Sequence, residues 1–377
     1  MRILWALSNW KRTGPVEPSL DWAAAVARRG HEVLVVTGRP IGTAPDEAAE
    51  AAEARGLTRL DLGLRLAKHL AFFDNRRDAA RLLAHLRAHR PDVVVSTLRN
   101  DHRVLARAVS LSGAVIPLVR LWFEDGSAGI GRPEARRLRG AARVVTFGSA
   151  PEASLLAAGV AKDRLARALP PLDLARVRRA ATRREEMRRR FAGGSDAVLV
   201  GVVARVQAHR RFEMLWQAAE HLVREGVLFR LLVIGRGTRL EEIAGGPVAR
   251  RGLSAHVTLT GYLRGEEYAS TLAALDVQAF LVPGSDPTCR ALREGMALGV
   301  PSVATRRGLL PDIVADGETG LLVDETPEAL AAALARLASD PALRARLGAA
   351  AAARADAQFA LPSAAERMER VLTEARR

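Results

Sequence analysis

Two arginines in the second half of the chain have the type and spacing to hold an anion. Arg205 ends the apolar run Val198–Ala204, and Arg210 follows five residues later. Guanidinium groups at a strand end and in the next loop can clamp a diphosphate through charge-assisted hydrogen bonds, each contributing about 1.5–3 kcal/mol. The spacing therefore predicts a phosphate-binding pair.

Three further segments of the same half could complete an anion or sugar site. Ile234-Gly235-Arg236-Gly237 is a glycine turn at a strand end, where backbone can approach a ligand closely. Residues 283–290 open into a helix whose free N–H groups favour an anion. Glu294 lies inside that helix, and its carboxylate can accept hydrogen bonds from a vicinal diol such as a ribose. Each feature alone also fits a turn, a cap or a solvated side chain, whereas their joint order favours one site.

Other chemistries find little support in the sequence. It contains no Asp-x-Asp pair, no Gly-x-Ser-x-Gly elbow and no Walker loop. His85 and His89 are spaced for one helix face, but a third ligand is missing nearby, so exposed polar residues are favoured over a metal site. We therefore expect neither a metal nor a resident cofactor.

The elements that must position these residues are buried strands separated by helices. Near-continuous apolar strands indicate parallel sheets covered on both faces, with ligands at the carboxyl ends of the strands. The sequence thus predicts an α/β protein with two doubly wound domains and a cleft between them. The predicted strands are Arg2–Leu7, Glu32–Thr37, Asp92–Ser96, Ile116–Leu121, Arg143–Phe147, Ala197–Ala204, Phe229–Ile234, Val257–Thr260, Val277–Leu281 and Ser302–Ala304. The predicted helices include Val104–Leu111, Glu213–Glu225, Glu266–Ala274 and Cys289–Leu298.

The domain boundary is expected near Pro170-Pro171, where two prolines prevent a helix from continuing. We assign residues 1–170 to the first domain and 171–362 to the second. A last helix from about 363 to 377 is expected to pack back on the first domain. Arg176–Arg190, with eight arginines, predicts one exposed helix that enters the second domain.

The positive charge is concentrated in the first half. The net charge of the 377 residues is +15, and residues 1–172 carry 27 basic and 17 acidic side chains. This favours an anionic partner such as a membrane or a phosphate-bearing lipid, although a solvated arginine-rich surface fits equally well. Nucleic acid is disfavoured because aromatic residues make up only 4%. A single cysteine and no apolar run of about 18 residues predict a cytoplasmic protein without disulfides.

Several motifs of the second half resemble those of the retaining family 4 glycosyltransferases of GT-B fold. They are Gly261-Tyr262-Leu263, Glu294-Gly295-Met296-Ala297-Leu298-Gly299-Val300-Pro301, Pro311-Asp312-Ile313-Val314 and Asp316-Gly317-Glu318-Thr319-Gly320-Leu321-Leu322-Val323. The first half matches more loosely, at Arg29–Val33 and Ala158–Val160. The resemblance implies two Rossmann-like domains, the first binding the acceptor and the second binding a nucleotide-sugar donor.

The resemblance also implies roles for individual residues. Arg205 and Arg210 fall on the family's phosphate-binding arginine and lysine, and Glu294 falls on its ribose-binding glutamate. Asp286 replaces the first glutamate of the family's pair, with a reach about 1.5 Å shorter. The catalytic residues expected are thus Arg205, Arg210 and Asp286. The donor-binding residues expected are Glu294, Thr288, Cys289, Arg290, Gly237, Tyr262 and Leu263.

On the acceptor side the sequence departs from the family pattern. The loop at Gly14 has one glycine where two are common, and Phe123 stands where the family usually has a histidine. The candidate substitutes for that histidine are Arg120, Glu124, Asp125 and His102.

The resemblance implies transfer of a sugar from a nucleoside diphosphate sugar to an acceptor hydroxyl, with retention and without a metal. The acceptor is expected to be lipid-linked or membrane-proximal, with peripheral contact at the inner face of the membrane. The alternatives are an inactive sugar-nucleotide-binding protein, a disaccharide synthase with a soluble acceptor, and a nucleotide-sugar epimerase. The nucleotide base, the sugar, the acceptor and the oligomeric state stay open at this point.

Overall fold

The chain forms two units, each built around its own sheet. The computed structural model describes residues 1–40, 42–124, 129–193, 195–282 and 288–377. Among these, the first unit contains the residues up to Leu172, Thr288 and Ala360–Arg377. The second unit contains the described residues from Asp173 to Val282 together with Cys289–Phe359.

The first unit has a parallel sheet in which the described residues form seven strands. The strands are β1 (Arg2–Leu7), β2 (Glu32–Thr37), β3 (Thr58–Arg59), β4 (Val93–Ser96), β5 (Leu118–Leu121), β6 (Arg143–Thr146) and β7 (Leu165–Arg167), in the order β3-β2-β1-β4-β5-β6-β7. The helices that follow them are α1 (Val16–Ala27), α2 (Glu47–Glu53), α3 (Phe72–His89), α4 (Arg99–Ser112), α5 (Arg132–Arg139) and α6 (Ser149–Ala157). Every residue of β4 and β5 is buried because helices cover both faces.

The second unit repeats this arrangement with six parallel strands among the described residues. The strands are β8 (Val198–Val203), β9 (Phe229–Ile234), β10 (Val257–Gly261), β11 (Val277–Phe280), β12 (Ser302–Thr305) and β13 (Gly320–Val323), in the order β10-β9-β8-β11-β12-β13. The helices are α7 (Leu174–Arg179), α8 (Arg184–Ala192), α9 (Phe212–Arg224), α10 (Gly246–Arg250), α11 (Gly265–Ala274), α12 (Arg290–Ala297), α13 (Leu310–Ile313), α14 (Pro327–Ser339) and α15 (Pro341–Phe359). None of the described helices combines the length and apolar character needed to cross a lipid bilayer.

The predicted α/β class with two doubly wound parallel sheets is confirmed. In each sheet the strand order reverses once, between β1 and β4 in the first unit and between β8 and β11 in the second. Open α/β sheets bind ligands outside the carboxyl ends of the strands at such a reversal. The loops after β8 and β11 are therefore the first place to look for a ligand site in the second unit.

The single helix predicted at Arg176–Arg190 is wrong, because the segment forms the two helices α7 and α8. The backbone N–H of Arg183 at the break donates to Ser270 Oγ at 3.1 Å. The break also lets α8 turn Met187 into the core, where it is fully buried. The arginine-rich segment is thus packed on one side rather than exposed all round.

A last helix, α16 (Leu361–Ala375), covers the first sheet. It packs against α1 and buries Met368, Val371 and Leu372. The Glu369 carboxylate accepts from Arg29 Nε at 2.5 Å and lies 2.8 Å from His31 Nε2. An apolar seam and these polar contacts thus join this helix to the first unit.

Candidate functional site

The arginine pair predicted from the sequence lies beyond the carboxyl end of β8. Arg205 is exposed, whereas the short turn Ala208–Arg210 directs Arg210 inward, leaving it only 7% exposed. Burial lowers the pKa of Arg210, and the positive charge of Arg205 lowers it further. Two cations are thus held close enough to repel each other, and a bound anion would relieve that repulsion.

The start of α12 lies beside this pair. Cys289 precedes the helix in the left-handed conformation, with φ of +50°, and its thiol also affects the pKa of Arg210. Thr288 and Cys289 are each 1% exposed. Since β11 pairs with β8, the loops after both strands flank the point where the strand order reverses. The predicted arginine pair and the predicted helix start therefore share one edge of the sheet. Asp286 lies outside the described residues.

The Glu294 carboxylate is held from two sides. Arg290 Nε donates to Oε1 at 2.8 Å, and the Tyr268 hydroxyl of α11 donates to Oε2 at 2.8 Å. Burial and the charge of Glu294 raise the pKa of Tyr268 well above its ordinary value, so the phenol keeps its proton and acts as a donor. Glu294 itself is 6% exposed, and its orientation is fixed before any ligand binds.

Sequence reasoning missed Tyr268. The Arg290–Glu294 pair can be read from the sequence, because residues four apart on a helix are neighbours. No comparable local signal marks Tyr268, since its contact depends on how α11 packs beside α12.

The two glycines of the turn after β9 are required by close packing of the backbone. A Cβ at Gly235 would collide with the carbonyl oxygen of Ala204, and one at Gly237 with the carbonyl oxygen of Val206. The Val206 N–H donates to the carbonyl of Arg236 at 3.1 Å. The two glycines thus allow the loop after β9 to lie against the loop that carries Arg205. Close approach of a ligand to Gly237 stays a prediction.

Tyr262, just after β10, presents an exposed aromatic ring at the same edge. Its exposure is 58%, and the guanidinium groups of Arg236 and Arg264 lie 5.2 and 4.9 Å from the ring centroid. Leu263 is buried in a cluster against which Tyr268 also packs. A ring held by two cations offers a platform on which a flat heterocycle can stack.

In the first unit, a buried carboxylate ties together the loops at the sheet edge. Asp101, in the first turn of α4, accepts hydrogen bonds from the N–H groups of Ser8 (2.7 Å), Thr97 (2.9 Å) and Leu98 (2.9 Å). Burial raises the pKa of Asp101 to about 7, against the opposing effects of Arg120 and these donors. Sequence reasoning missed Asp101, although an acidic residue at the third position of a helix is a recognised cap signal.

The predicted substitutes for the missing histidine are engaged with protein groups. His102 Nδ1 lies 2.9 Å from Ser96 Oγ, and burial, aided by Arg120, lowers the pKa of His102 to about 3. Arg120 is fully buried and donates to the Leu121 carbonyl at 2.8 Å and to Glu124 Oε1 at 3.1 Å. Glu124 also accepts from an exposed arginine of α4. Asp125 lies outside the described residues.

Phe123 stands just beyond the carboxyl end of β5 and packs against another aromatic ring. Its exposure is 5%, and its ring meets that of Phe147 edge to face at 4.7 Å. Gly14 lies in a partly buried turn closed by a 3.0 Å hydrogen bond from Val16 N–H to the Thr13 carbonyl, just before α1. The structure thus assigns Phe123 a packing contact and Gly14 a place at the edge of the first sheet.

The expectation that His85 and His89 are exposed polar residues is wrong for His85. It is 8% exposed, and the two rings stack with centroids 4.3 Å apart. Burial lowers the pKa of His85, and His89 lowers it further. Within the described ranges, no cluster of three or more His, Cys, Asp or Glu side chains is arranged to hold a metal ion.

Comparison with known families gives one match within the second unit. Residues 183–354 match the sequence model of the family described as glycosyl transferases group 1. The matched region carries Arg205, Arg210, Tyr268 and Glu294.

Two curated relatives align with part of the chain. A GDP-mannose-dependent alpha-(1-6)-phosphatidylinositol monomannoside mannosyltransferase of Mycolicibacterium smegmatis is 31% identical over 58% of this chain and 59% of its own length. An alpha-D-kanosaminyltransferase of Streptomyces kanamyceticus is 30% identical over 51% of this chain and 49% of its own length. The alignments thus span about half to three fifths of these relatives.

A solved structure has the same fold over nearly the whole chain. Anabaena HepE in complex with UDP superposes with a TM-score of 0.79, covering 99% of this chain and 100% of that chain at 18% identity. This likeness shows the predicted fold, and the sequence matches confirm the predicted resemblance to family 4 glycosyltransferases.

Proposed function

Since residues 183–354 match the sequence model of the glycosyl transferases group 1 family, we propose that this protein transfers a sugar from a nucleoside diphosphate sugar to an acceptor hydroxyl. We further propose retention at the anomeric carbon and no requirement for a metal. The observation that carries the proposal is the repelling pair Arg205 and Arg210 beside the start of α12. Such a pair is suited to a diphosphate that gains negative charge as it leaves.

In the proposed reaction, the bond between the anomeric carbon and the diphosphate oxygen breaks. The acceptor oxygen bonds to the same carbon on the same face, and the acceptor proton passes to the departing diphosphate. Arg205 and Arg210 stabilise the charge that develops on that diphosphate, which is the task a metal would otherwise perform. The role of the protein is then chiefly positioning and charge stabilisation.

The donor would be held by groups on α12, on the loop after β10 and on the segment that precedes α12. Glu294, fixed by Tyr268 and Arg290, would accept hydrogen bonds from the ribose hydroxyls. Tyr262 would stack on the base, while Asp286 and the backbone of Thr288–Arg290 would orient the sugar. One relative is named for GDP-mannose and the solved neighbour holds UDP. A thermal-shift screen over UDP, GDP, ADP and TDP sugars tests which base this chain prefers.

For the acceptor we propose a lipid-linked or membrane-proximal molecule that binds the predicted first domain, residues 1–170, while residues 171–362 bind the donor. The excess of basic residues among the first 172 supports contact with an anionic surface. A relative named for a phosphatidylinositol monomannoside acceptor supports the same class. The protein would then work in the cytoplasm as a peripheral protein at the inner face of the membrane.

The test compares Arg205→Ala with wild type and with Arg250→Ala. Arg250 is an exposed arginine at the end of α10, where the chain turns back toward the amino end of β10. We expect donor hydrolysis and transfer to fall about 100-fold in Arg205→Ala and to stay unchanged in Arg250→Ala. Equal rates for wild type and Arg205→Ala would remove the role assigned to the clamp.

Retention and metal independence have their own measurements. Proton NMR of the product reports its anomeric configuration, and an inverted product would contradict retention. Transfer in excess EDTA is expected to proceed at the untreated rate, and loss of activity restored by Mg²⁺ or Mn²⁺ would contradict metal independence.

Phe123 favours a second candidate, a sugar-nucleotide-binding protein without turnover. A buried phenyl ring at the end of β5 can neither donate a hydrogen bond to a sugar hydroxyl nor pass a proton. Calorimetry separates the two candidates. Tight donor binding with no turnover over a broad acceptor panel would favour the second.

A further inference from the structure

A group of apolar side chains is exposed where α3 begins. Leu70 is 63% exposed, Phe72 58% and Phe73 84%, and we call these three residues the aromatic edge. The two rings lie against each other edge to face, with centroids 5.5 Å apart. Exposed apolar groups gathered in this way mark a surface that meets another molecule.

Cations surround the aromatic edge. The Arg76 guanidinium lies 5.0 Å from the centroid of the Phe72 ring. Leu70 and Phe72 line a cavity of about 410 Å³ together with Arg76, Arg103, Arg107 and Arg137. None of the described residues around this cavity is acidic. Apolar and cationic groups are therefore interleaved in one place.

The cationic surface continues past Arg137. A second cavity of about 940 Å³ shares Ala106, Ser110 and Arg137 with the first, and a single carboxylate, Glu374, stands among its described lining residues. Its other arginines are Arg132, Arg136, Arg143, Arg164 and Arg377. The two cavities thus form one basic face that begins at the aromatic edge.

The arginines between the two cavities are close enough to repel each other. Burial lowers the pKa of Arg103, and the neighbouring charge of Arg137 lowers it further. Glu134, 2.9 Å from Arg137, offsets this only in part. A negatively charged partner bound at this face would relieve the repulsion.

We propose that this face docks on an anionic phospholipid bilayer. The aromatic edge enters the boundary between headgroups and acyl chains, while Arg76, Arg107 and the arginines of the two cavities meet the lipid phosphates. A bilayer has an apolar layer directly beneath anionic headgroups. This face is complementary to it, because exposed apolar side chains lie next to arginines. The inference rests on the membrane-proximal acceptor proposed above and names the residues that would reach the membrane.

Vesicle flotation tests the docking face without any turnover. The vesicles are phosphatidylcholine alone and phosphatidylcholine with about a third phosphatidylglycerol, an anionic content at which arginines near the surface add affinity. Wild type is expected to float with the anionic vesicles and not with the neutral ones. Phe72→Ser/Phe73→Ser and Arg76→Gln/Arg107→Gln are each expected to weaken binding at least about tenfold, since these side chains supply the apolar and electrostatic contacts.

A matched control alters exposed apolar residues elsewhere. Val223 and Leu228 in the second unit are 39% and 72% exposed, and Val223→Ser/Leu228→Ser is expected to bind as wild type does. All four substituted residues of the docking face are exposed, so the variants should keep the melting temperature of wild type. Unchanged flotation of the Phe72/Phe73 variant, or equal loss in the control, would overturn the inference.

Two further outcomes also overturn it. One is equal binding to neutral and anionic vesicles. The other is a wild type that ignores vesicles yet binds a single-stranded oligonucleotide, with affinity lost in the Arg76/Arg107 variant. Donor hydrolysis is measured separately in the absence of vesicles. A protein that hydrolyses the donor but never floats would keep the transferase proposal and lose this one.

Discussion

The carboxyl edges of the two sheets use ionisable side chains in opposite ways. In the second unit, Arg205 is exposed, and Glu294, which is 6% exposed, is held by Tyr268 of α11 and by Arg290 of its own helix. In the first unit, Asp101, His102 and Arg120 are fully buried and bonded to the protein itself. The second edge thus carries an exposed cation, whereas the charged groups of the first edge hold its own loops in place.

This difference in burial indicates which residues could contact a ligand. Groups with no exposed surface, such as Asp101 and His102, shape an edge without touching what binds there, whereas Arg210 and Glu294 keep 7% and 6% of their surface exposed. The chemistry of the first edge must therefore come from its backbone and its more exposed side chains. At the second edge, we propose that the same kinds of residue act directly on a diphosphate and a ribose.

Substitution of Arg210 is expected to have the largest effect on activity, and it tests whether the charges at the second edge act on a ligand. Arg210→Ala removes half of the charge pair and should lower kcat for transfer about 100-fold. Arg210→Lys restores a point charge without the planar fork and should stay within about tenfold of wild type. Steady-state kinetics with a saturating donor make the comparison. Equal losses in both variants would mean that shape rather than charge matters at this position.

His102 tests the first edge through pH. Its pKa in the folded protein, about 3, is below the unfolded value near 6.5, so it stabilises the fold above pH 6.5 and that stability is lost as pH falls toward 3. By pH 5 the loss is about 2 kcal/mol. His102→Asn, which can still bond Ser96, should therefore lose less stability than wild type between pH 7 and pH 5 in urea unfolding.

Asp101 changes the pH dependence of the free energy of unfolding in the opposite direction to His102. Its folded pKa of about 7 is above the unfolded value near 3.9, so its contribution is complete below about pH 4 and is lost as pH rises through 7. The two profiles overlap between about pH 4 and 6.5. For this reason the difference between His102→Asn and wild type is the informative quantity, and an identical acid response in both proteins would contradict a neutral buried His102.

Substitution of Tyr268 is expected to have the smallest effect, and it tests how the second edge binds the donor. Tyr268→Phe removes the hydroxyl that orients Glu294, which should raise the donor KM about five- to tenfold and leave kcat nearly unchanged. Tyr262→Phe is the matched control, because the ring that stacks with Arg236 and Arg264 is kept. A lower kcat with an unchanged KM in Tyr268→Phe would argue against a role in ground-state donor binding.

The sequence predicts most of the two sheets because their strands are buried apolar runs. β8 and β9 lie within one residue of their predicted bounds. β3 and β7 are missed, since edge strands of two and three residues with exposed positions carry no apolar pattern. The start of α4 is placed five residues too late, because its first turn, which includes Asp101, is polar and buried for its hydrogen bonds.

Within the site, sequence reasoning reaches only what lies near in the chain. The proximity of Arg205 to Arg210 follows from their spacing after a strand, and Arg290 lies one helical turn from Glu294. Tyr268 comes from a different helix 26 residues away, so its hydrogen bond depends on packing that no local pattern records. The burial of His102 and Arg120 likewise depends on how α4 seats against β5.

The return of α16 to the first sheet sets an order for folding during synthesis. The ribosome makes all of Asp173–Phe359 before the residues that cover α1 and meet Arg29 and His31. The first unit therefore cannot be completed when its first 172 residues have been made. The apolar side of α1 stays uncovered until the second unit and α16 have also been synthesised. A nascent chain arrested before Leu361 should expose this apolar side of α1 to chaperones. Binding of α16 to α1 is then the step that completes the first unit.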